Sequence, residues 1–161
     1  MVATDILRQQ PFFKDFSEAE LKKLAAIAAE ETYKAGFQLW KRGEQAKTLY
    51  LLETGKIVLV MHTYMGTATP PMELPVDMIT EGDAMGWSAV IEPYIYTLGA
   101  RCIADSKAVV FDGAKLRELL SKDLSLGLKF MQATVKLVAT RLLHTESVLV
   151  GERGLSVLGE S

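Results

Sequence analysis

Short apolar or alternating runs, set between turn residues, fill the middle of the chain. They are Thr48–Glu53, Lys56–His62, Val76–Thr80, Tyr94–Ala100 and Lys107–Phe111. Side chains alternate faces along a strand, so such runs predict half-buried strands. Eight of the twelve glycines punctuate the same region, at positions 36, 43, 55, 66, 82, 86, 99 and 113. Many short strands separated by turn glycines predict a β-sandwich or barrel.

The pattern changes to helical on both sides. Ser17-Glu18-Ala19-Glu20 reads as a capping box, with Ser17 as N-cap and Glu20 at the third helical position. Leu21, Leu24, Ala25 and Ala28 follow on one face, and Gly36 lies past the expected end. Pro11, Phe12, Phe13 and Phe16 precede the cap and are expected to pin this element onto the sheet. After the strands, Ala114–Leu120 predicts a short helix and Leu124–Leu149 a long one.

In the long helix Leu124, Leu128, Met131, Val135, Val138 and Leu142 are spaced 4, 3, 4, 3 and 4, and Thr145 and Leu149 continue the rhythm. That is a heptad seam. Leu126, Phe130 and Leu137 form a second apolar strip. So broad an apolar face predicts two partners: the chain's own sheet, and a second copy meeting it through Leu128, Met131, Val135, Val138 and Leu142. The bland alternative is that the helix only covers the sheet. Tyr64–Pro75, rich in proline and threonine, is expected as an exposed hairpin loop. The expected organisation is one domain over residues 1–149, with strands at about 33–112 and a flexible tail from 150 to 161.

Composition narrows the class. The chain has 161 residues, 49% hydrophobic and 24% charged, with a net charge of −2. It is long enough for a core and too apolar for disorder. Its charge is unlike that of a basic nucleic-acid binder, and the basic side chains are scattered. No apolar run reaches the roughly 18–20 residues of a membrane span. Met1–Gln10, with Asp5 and Arg8, lacks the apolar core of a signal peptide. The single cysteine, Cys102, has no intramolecular partner, so a reducing, cytoplasmic setting is expected. It is read as a small buried residue.

Catalytic signals are weak. The two histidines, His62 and His144, form no His-x-His pair, and no metal site is expected. There is no nucleophile elbow and no glycine-lysine phosphate loop. The expectation is a binding protein, not an enzyme.

Four stretches in order carry a resemblance: PFFKDFSEAELKKLA, KAGFQLWKRGEQAKTLYLLETGKIVLV, ITEGDAMGWSAV and, on the long helix, TRLLHTESV. Together they resemble the cyclic-nucleotide-binding domain of the catabolite-activator-like regulators. The resemblance implies an α+β, mainly β fold: an antiparallel double-stranded β-roll or jelly roll, an N-terminal helical element, and a long C-terminal dimerisation helix. It implies a stand-alone regulatory or sensor module acting through a separate effector protein. About a dozen residues follow Leu149, too few for the family's DNA-binding domain, so direct DNA binding is not expected.

The family's phosphate cassette follows a Gly-Asp turn. A glycine and a glutamate open a short helix, and an arginine beside a small residue follows a loop. The helix start offers free N–H groups to the phosphate, the arginine balances its charge, and the glutamate accepts from the ribose. Here the turn is Gly82-Asp83, and Gly86, Trp87, Ser88 and Ala89 open the helix. Trp87 stands at the glutamate position, Tyr96 at the arginine position and Thr97 at the hydroxyl. The carboxylate and the cation are therefore replaced.

Charge-assisted hydrogen bonds contribute roughly 1.5–3 kcal/mol each, so losing both costs ~3–5 kcal/mol, or about two to four decades of affinity. Cyclic AMP or cyclic GMP would then bind weakly, and no resident cofactor is expected. Trp87 and Tyr96 either close the pocket, leaving an interaction scaffold, or wall it for a different planar ligand. Arg101 is the nearest replacement cation. Five residues from Tyr96 along a strand, it is expected on the opposite face. Thr145 falls where the family's long helix touches the ligand base.

Overall fold

The N-terminal element is built around Ser17. In the computed structural model, which describes residues 2–63 and 71–159 and side chains as far as Gly151, Ser17 caps helix α2 (Glu18–Ile27). Its hydroxyl accepts from the Glu20 N–H, and Glu20 accepts from the Ser17 N–H at 2.7 Å. A short helix, α1 (Thr4–Arg8), and a 3-10 turn at Pro11–Phe13 precede it. Helix α2 stops at Ile27, earlier than expected. Ala28 opens strand β1 (Ala28–Tyr33), which pairs with a distant strand and so leaves the helical path.

The strands β2 (Gln38–Trp40), β3 (Thr48–Thr54), β4 (Ile57–Thr63), β5 (Met72–Ile79), β6 (Ala84–Met85), β7 (Gly99–Cys102) and β8 (Ser106–Asp112) follow. Among the described residues they form two four-stranded antiparallel sheets, ordered β1-β8-β3-β6 and β2-β7-β4-β5. This is the expected β-roll. Leu49, Leu51, Val109 and Phe111 from the first sheet and Ile57, Ala100 and Cys102 from the second are fully buried. Burial pushes the Cys102 thiol pKa up, which keeps it protonated.

Two expectations about the roll need correction. Tyr94–Ala100 is not a strand: only Gly99–Cys102 is, and Tyr94–Leu98 is a loop clipped to the segment before β3. Ala46 and Gly43 donate to the carbonyls of Tyr94 and Tyr96, and the Tyr96 N–H donates to Glu44. The loop expected at Tyr64–Pro75 yields to β5 from Met72. Pro75 is tolerated there because β5 is an edge strand with a register shift opposite Leu59 and Val60. Residues 64–70, with Gly66, lie outside the described residues.

Helix α3 (Gly113–Lys122) is capped by Asp112, and α4 (Leu124–Gly159) follows one residue later. The tail expected to be flexible from residue 150 is instead helical to Gly159. Each interior glycine costs a helix about 1 kcal/mol, and Gly151 and Gly154 stand among the helix formers Glu152, Arg153 and Leu155. The two apolar strips of α4 separate as predicted. Leu126 and Phe130 are fully buried and Leu137 packs on the core, whereas Leu128 is 64% and Val135 63% exposed. Phe130 meets Phe12, Phe13 and Phe16 in edge-to-face and tilted contacts, which fasten the N-terminal element to α4.

Candidate functional site

The loop clipped beside β2 places Tyr96 flat against Trp40, with ring centroids 4.2 Å apart and planes 16° from parallel. The Trp40 indole N–H donates to the Leu98 carbonyl at 2.8 Å. The Tyr96 hydroxyl donates to the Thr48 carbonyl at 2.8 Å and accepts from the Thr48 N–H at 3.2 Å. Burial pushes the phenol pKa up, so Tyr96 is neutral throughout the physiological range. Tyr96, which the resemblance sets at the arginine position, is thus a buried, uncharged ring.

Gly86 follows β6 and turns the chain into the 3-10 turn Trp87–Ala89. Its φ is +77°, and a Cβ there would lie 2.7 Å from the Thr48 carbonyl oxygen. Glycine suits both demands. The preceding turn is held by Asp83, whose carboxylate accepts from the Thr80 N–H at 2.9 Å.

A cavity of about 220 Å³ lies between the roll and α4. Gly86, Trp87, Ser88, Tyr96, Thr97 and Thr145 all line it. Two sequence-predicted residues do not. Ala89 is fully buried, and its carbonyl accepts from Arg117. Arg101 bonds the Glu73 carboxylate at 2.5 Å, away from the cavity. Strand alternation, on which the opposite-face expectation rested, does not apply, because Tyr96 lies in a loop and β7 begins only at Gly99.

Two charged residues in the cavity wall were not among the expected site residues. Arg141 of α4 donates to the Ala84 carbonyl, and its Nε lies 3.8 Å from Asp77 Oδ2 on β5. Their side chains are only 19% and 20% exposed. Burial pulls the guanidinium pKa down from its ordinary value, while Asp77 and then Asp83 oppose that shift. Arg141 remains a cation. His144 Nδ1 lies 3.6 Å from Asp77 Oδ1.

A sequence signal for Arg141 existed. The roll-facing strip Leu126, Phe130, Thr134 and Leu137 reaches residue 141 at the next helical step, and Thr145 lies one turn further. Asp77 carried a weaker signal, a lone carboxylate within an apolar edge strand.

A larger groove, about 450 Å³, lies between the N-terminal aromatics and α4 beside Lys14, Lys129 and Lys136. It contains none of the expected site residues. Among the described residues no group of three or more His, Cys, Asp or Glu side chains is arranged to hold a metal ion. No helix there is long and apolar enough to cross a membrane.

The chain is similar to a protein of Geobacter metallireducens GS-15, solved as a candidate cyclic nucleotide-binding protein. Identity is 29%, the match covers 88% of this chain and 99% of that one, and the TM-score is 0.75. The fold is also that of the catabolite activator protein of Thermus thermophilus, at 19% identity and TM-score 0.69, over 87% of this chain and 62% of that one. The CLP regulator of Xanthomonas campestris, described as responsive to c-di-GMP, has the same fold at 18% identity and TM-score 0.67, over 81% of this chain and 62% of that one. The family model for the cyclic nucleotide-binding domain matches residues 30–123, more than half the chain. The chain therefore belongs to the cyclic nucleotide-binding domain family.

Proposed function

We propose that this chain is a regulatory sensor module whose ligand sits between the roll and α4. That ligand is a cyclic nucleotide bound weakly, or another small anion with a planar ring. The observation that carries the reading is Arg141: a partly buried cation in the cavity wall beside Trp87, supplied by α4 in place of the strand arginine. Charge in a low-dielectric wall contributes more to anion binding than the same charge on the surface. Ser88, Thr97 and Thr145 add hydroxyls.

The output runs through α4. Val138 and Leu142 line the cavity and also belong to the heptad seam, so a ligand there touches the proposed homodimer contact of Leu128, Met131, Val135, Val138 and Leu142. A ligand that prefers one placement of α4 shifts the populations toward it. A separate effector protein reads that shift.

One observation favours a second reading, an interaction scaffold without a ligand. The Tyr96–Trp40 stack fills the arginine position, and the remaining cavity is smaller than the roughly 300–1,000 Å³ of typical small-molecule sites.

Calorimetric titration with cyclic AMP and cyclic GMP, sensitive to millimolar dissociation constants, decides between them. The sensor reading expects binding that Arg141→Gln weakens at least tenfold. No heat and no thermal shift with either nucleotide would remove the cyclic nucleotide as the ligand and favour the scaffold.

A further inference from the structure

Asp77 and Arg141 face the same cavity, yet they do not saturate one another. Their 3.8 Å separation is an ion-pair distance, beyond hydrogen-bond reach. Arg141 commits one donor to the Ala84 carbonyl and has four more N–H groups. Asp77 Oδ1 accepts from the Met78 N–H at 2.8 Å and lies 3.6 Å from His144. An ionised carboxylate has about four acceptor sites, so Asp77 retains capacity at the cavity wall. Asp83 is engaged in its own turn with Thr80.

We infer that Asp77 is a second recognition residue, accepting a hydrogen bond from a hydroxyl or amino donor on the same ligand whose anionic group Arg141 holds. The cavity then selects anions that also carry a donor within a few ångströms, as nucleotides do, over simple anions. In effect β5 and α4 supply the cavity wall with a carboxylate and a cation that neither Trp87 nor Tyr96 provides. This rests on the reading of the cavity as a ligand site.

Electrostatics makes the inference sharply testable. Asp77 is a negative charge beside the place proposed for an anion. If it acts only through its charge, its removal tightens anion binding. If it accepts a bond from the ligand, its removal weakens binding despite the lost repulsion. The experiment is calorimetric titration of the wild type, Asp77→Ala and Asp77→Asn with cyclic AMP and cyclic GMP, with melting curves of each protein.

The expected result is affinity weaker by roughly tenfold or more in Asp77→Ala, in line with loss of a charge-assisted bond. Asp77→Asn, which keeps the side-chain shape, weakens binding too and supplies the readout if the alanine variant fails to fold. Unchanged or tighter binding in the variants, with the wild type binding, overturns the role of Asp77 and leaves the sensor reading standing. A wild type that binds neither nucleotide overturns the cyclic nucleotide as the ligand and, with it, this role of Asp77.

Discussion

Tyr96 and Trp40 form a parallel stack, 4.2 Å between centroids, at the position where the resemblance places an arginine. The stack is anchored at both ends: Trp40 to the Leu98 carbonyl and Tyr96 to the Thr48 backbone. Tyr96 is therefore a rigid piece of the core, and the cation in the cavity wall comes from α4.

Tyr96→Phe should destabilise the fold by about 1–2 kcal/mol, because it leaves the partly buried Thr48 N–H and carbonyl without their hydroxyl partner. Urea unfolding measures this. Tyr96→Arg should cost more and should not strengthen nucleotide binding, since it buries an unpaired guanidinium under Trp40.

The two strips of α4 should respond oppositely to substitution. Val135→Glu lies on the exposed strip and should leave unfolding almost unchanged while shifting the protein toward monomer in sedimentation equilibrium. Leu126→Ala lies under the fully buried strip and should cost about 2–5 kcal/mol. A wild type that sediments as a monomer would remove the proposed homodimer.

Gly127→Ala should destabilise the protein even though alanine is the better helix former by about 1 kcal/mol. The added Cβ would lie 2.4 Å from the Leu120 carbonyl oxygen, and backbone cannot yield as a side-chain tip can. The expected net cost is about 1–3 kcal/mol, with α4 pushed away from the end of α3. Chemical denaturation gives the sign, and hydrogen exchange at Leu126–Phe130 locates the strain.

The Glu20–Lys129 pair ties the α2 cap to α4 at 2.8 Å. The Lys129 hydrogen bond, then that from the Ser17 N–H, hold the Glu20 pKa below its ordinary value of 4.5. A depressed folded pKa means that the contribution is complete above the unfolded glutamate range and is lost as pH falls through the folded pKa. Lys129→Met should therefore lower stability near neutrality and narrow its gap to wild type below about pH 4. Melting temperatures across pH 3–7 test this. A constant gap would show that Lys129 acts by packing on Phe16 instead.

Several elements were legible because their signals are local. The Ser17 capping box, the alternating runs at Thr48 and Lys56, and the two strips of α4 were each written within a few residues, where neighbouring side chains decide the backbone. Tyr94–Ala100 had the same apolar look. Its carbonyls and N–H groups bond Gly43, Glu44 and Ala46, so a distant segment overrode its strand propensity. The helix past Gly151 was missed because a glycine there weakens a helix without ending it.

By itself the sequence determined the roll, the capped N-terminal element and the long helix. Only the tertiary structure decided which charged side chains border the cavity. Asp77 and Arg141 are 64 positions apart (141 − 77) on elements of different periodicity. A charge on an apolar strip becomes a site residue only when packing shows which cavity the strip borders. That depends on how α4 lies across β5 and β6, and no local pattern encodes it.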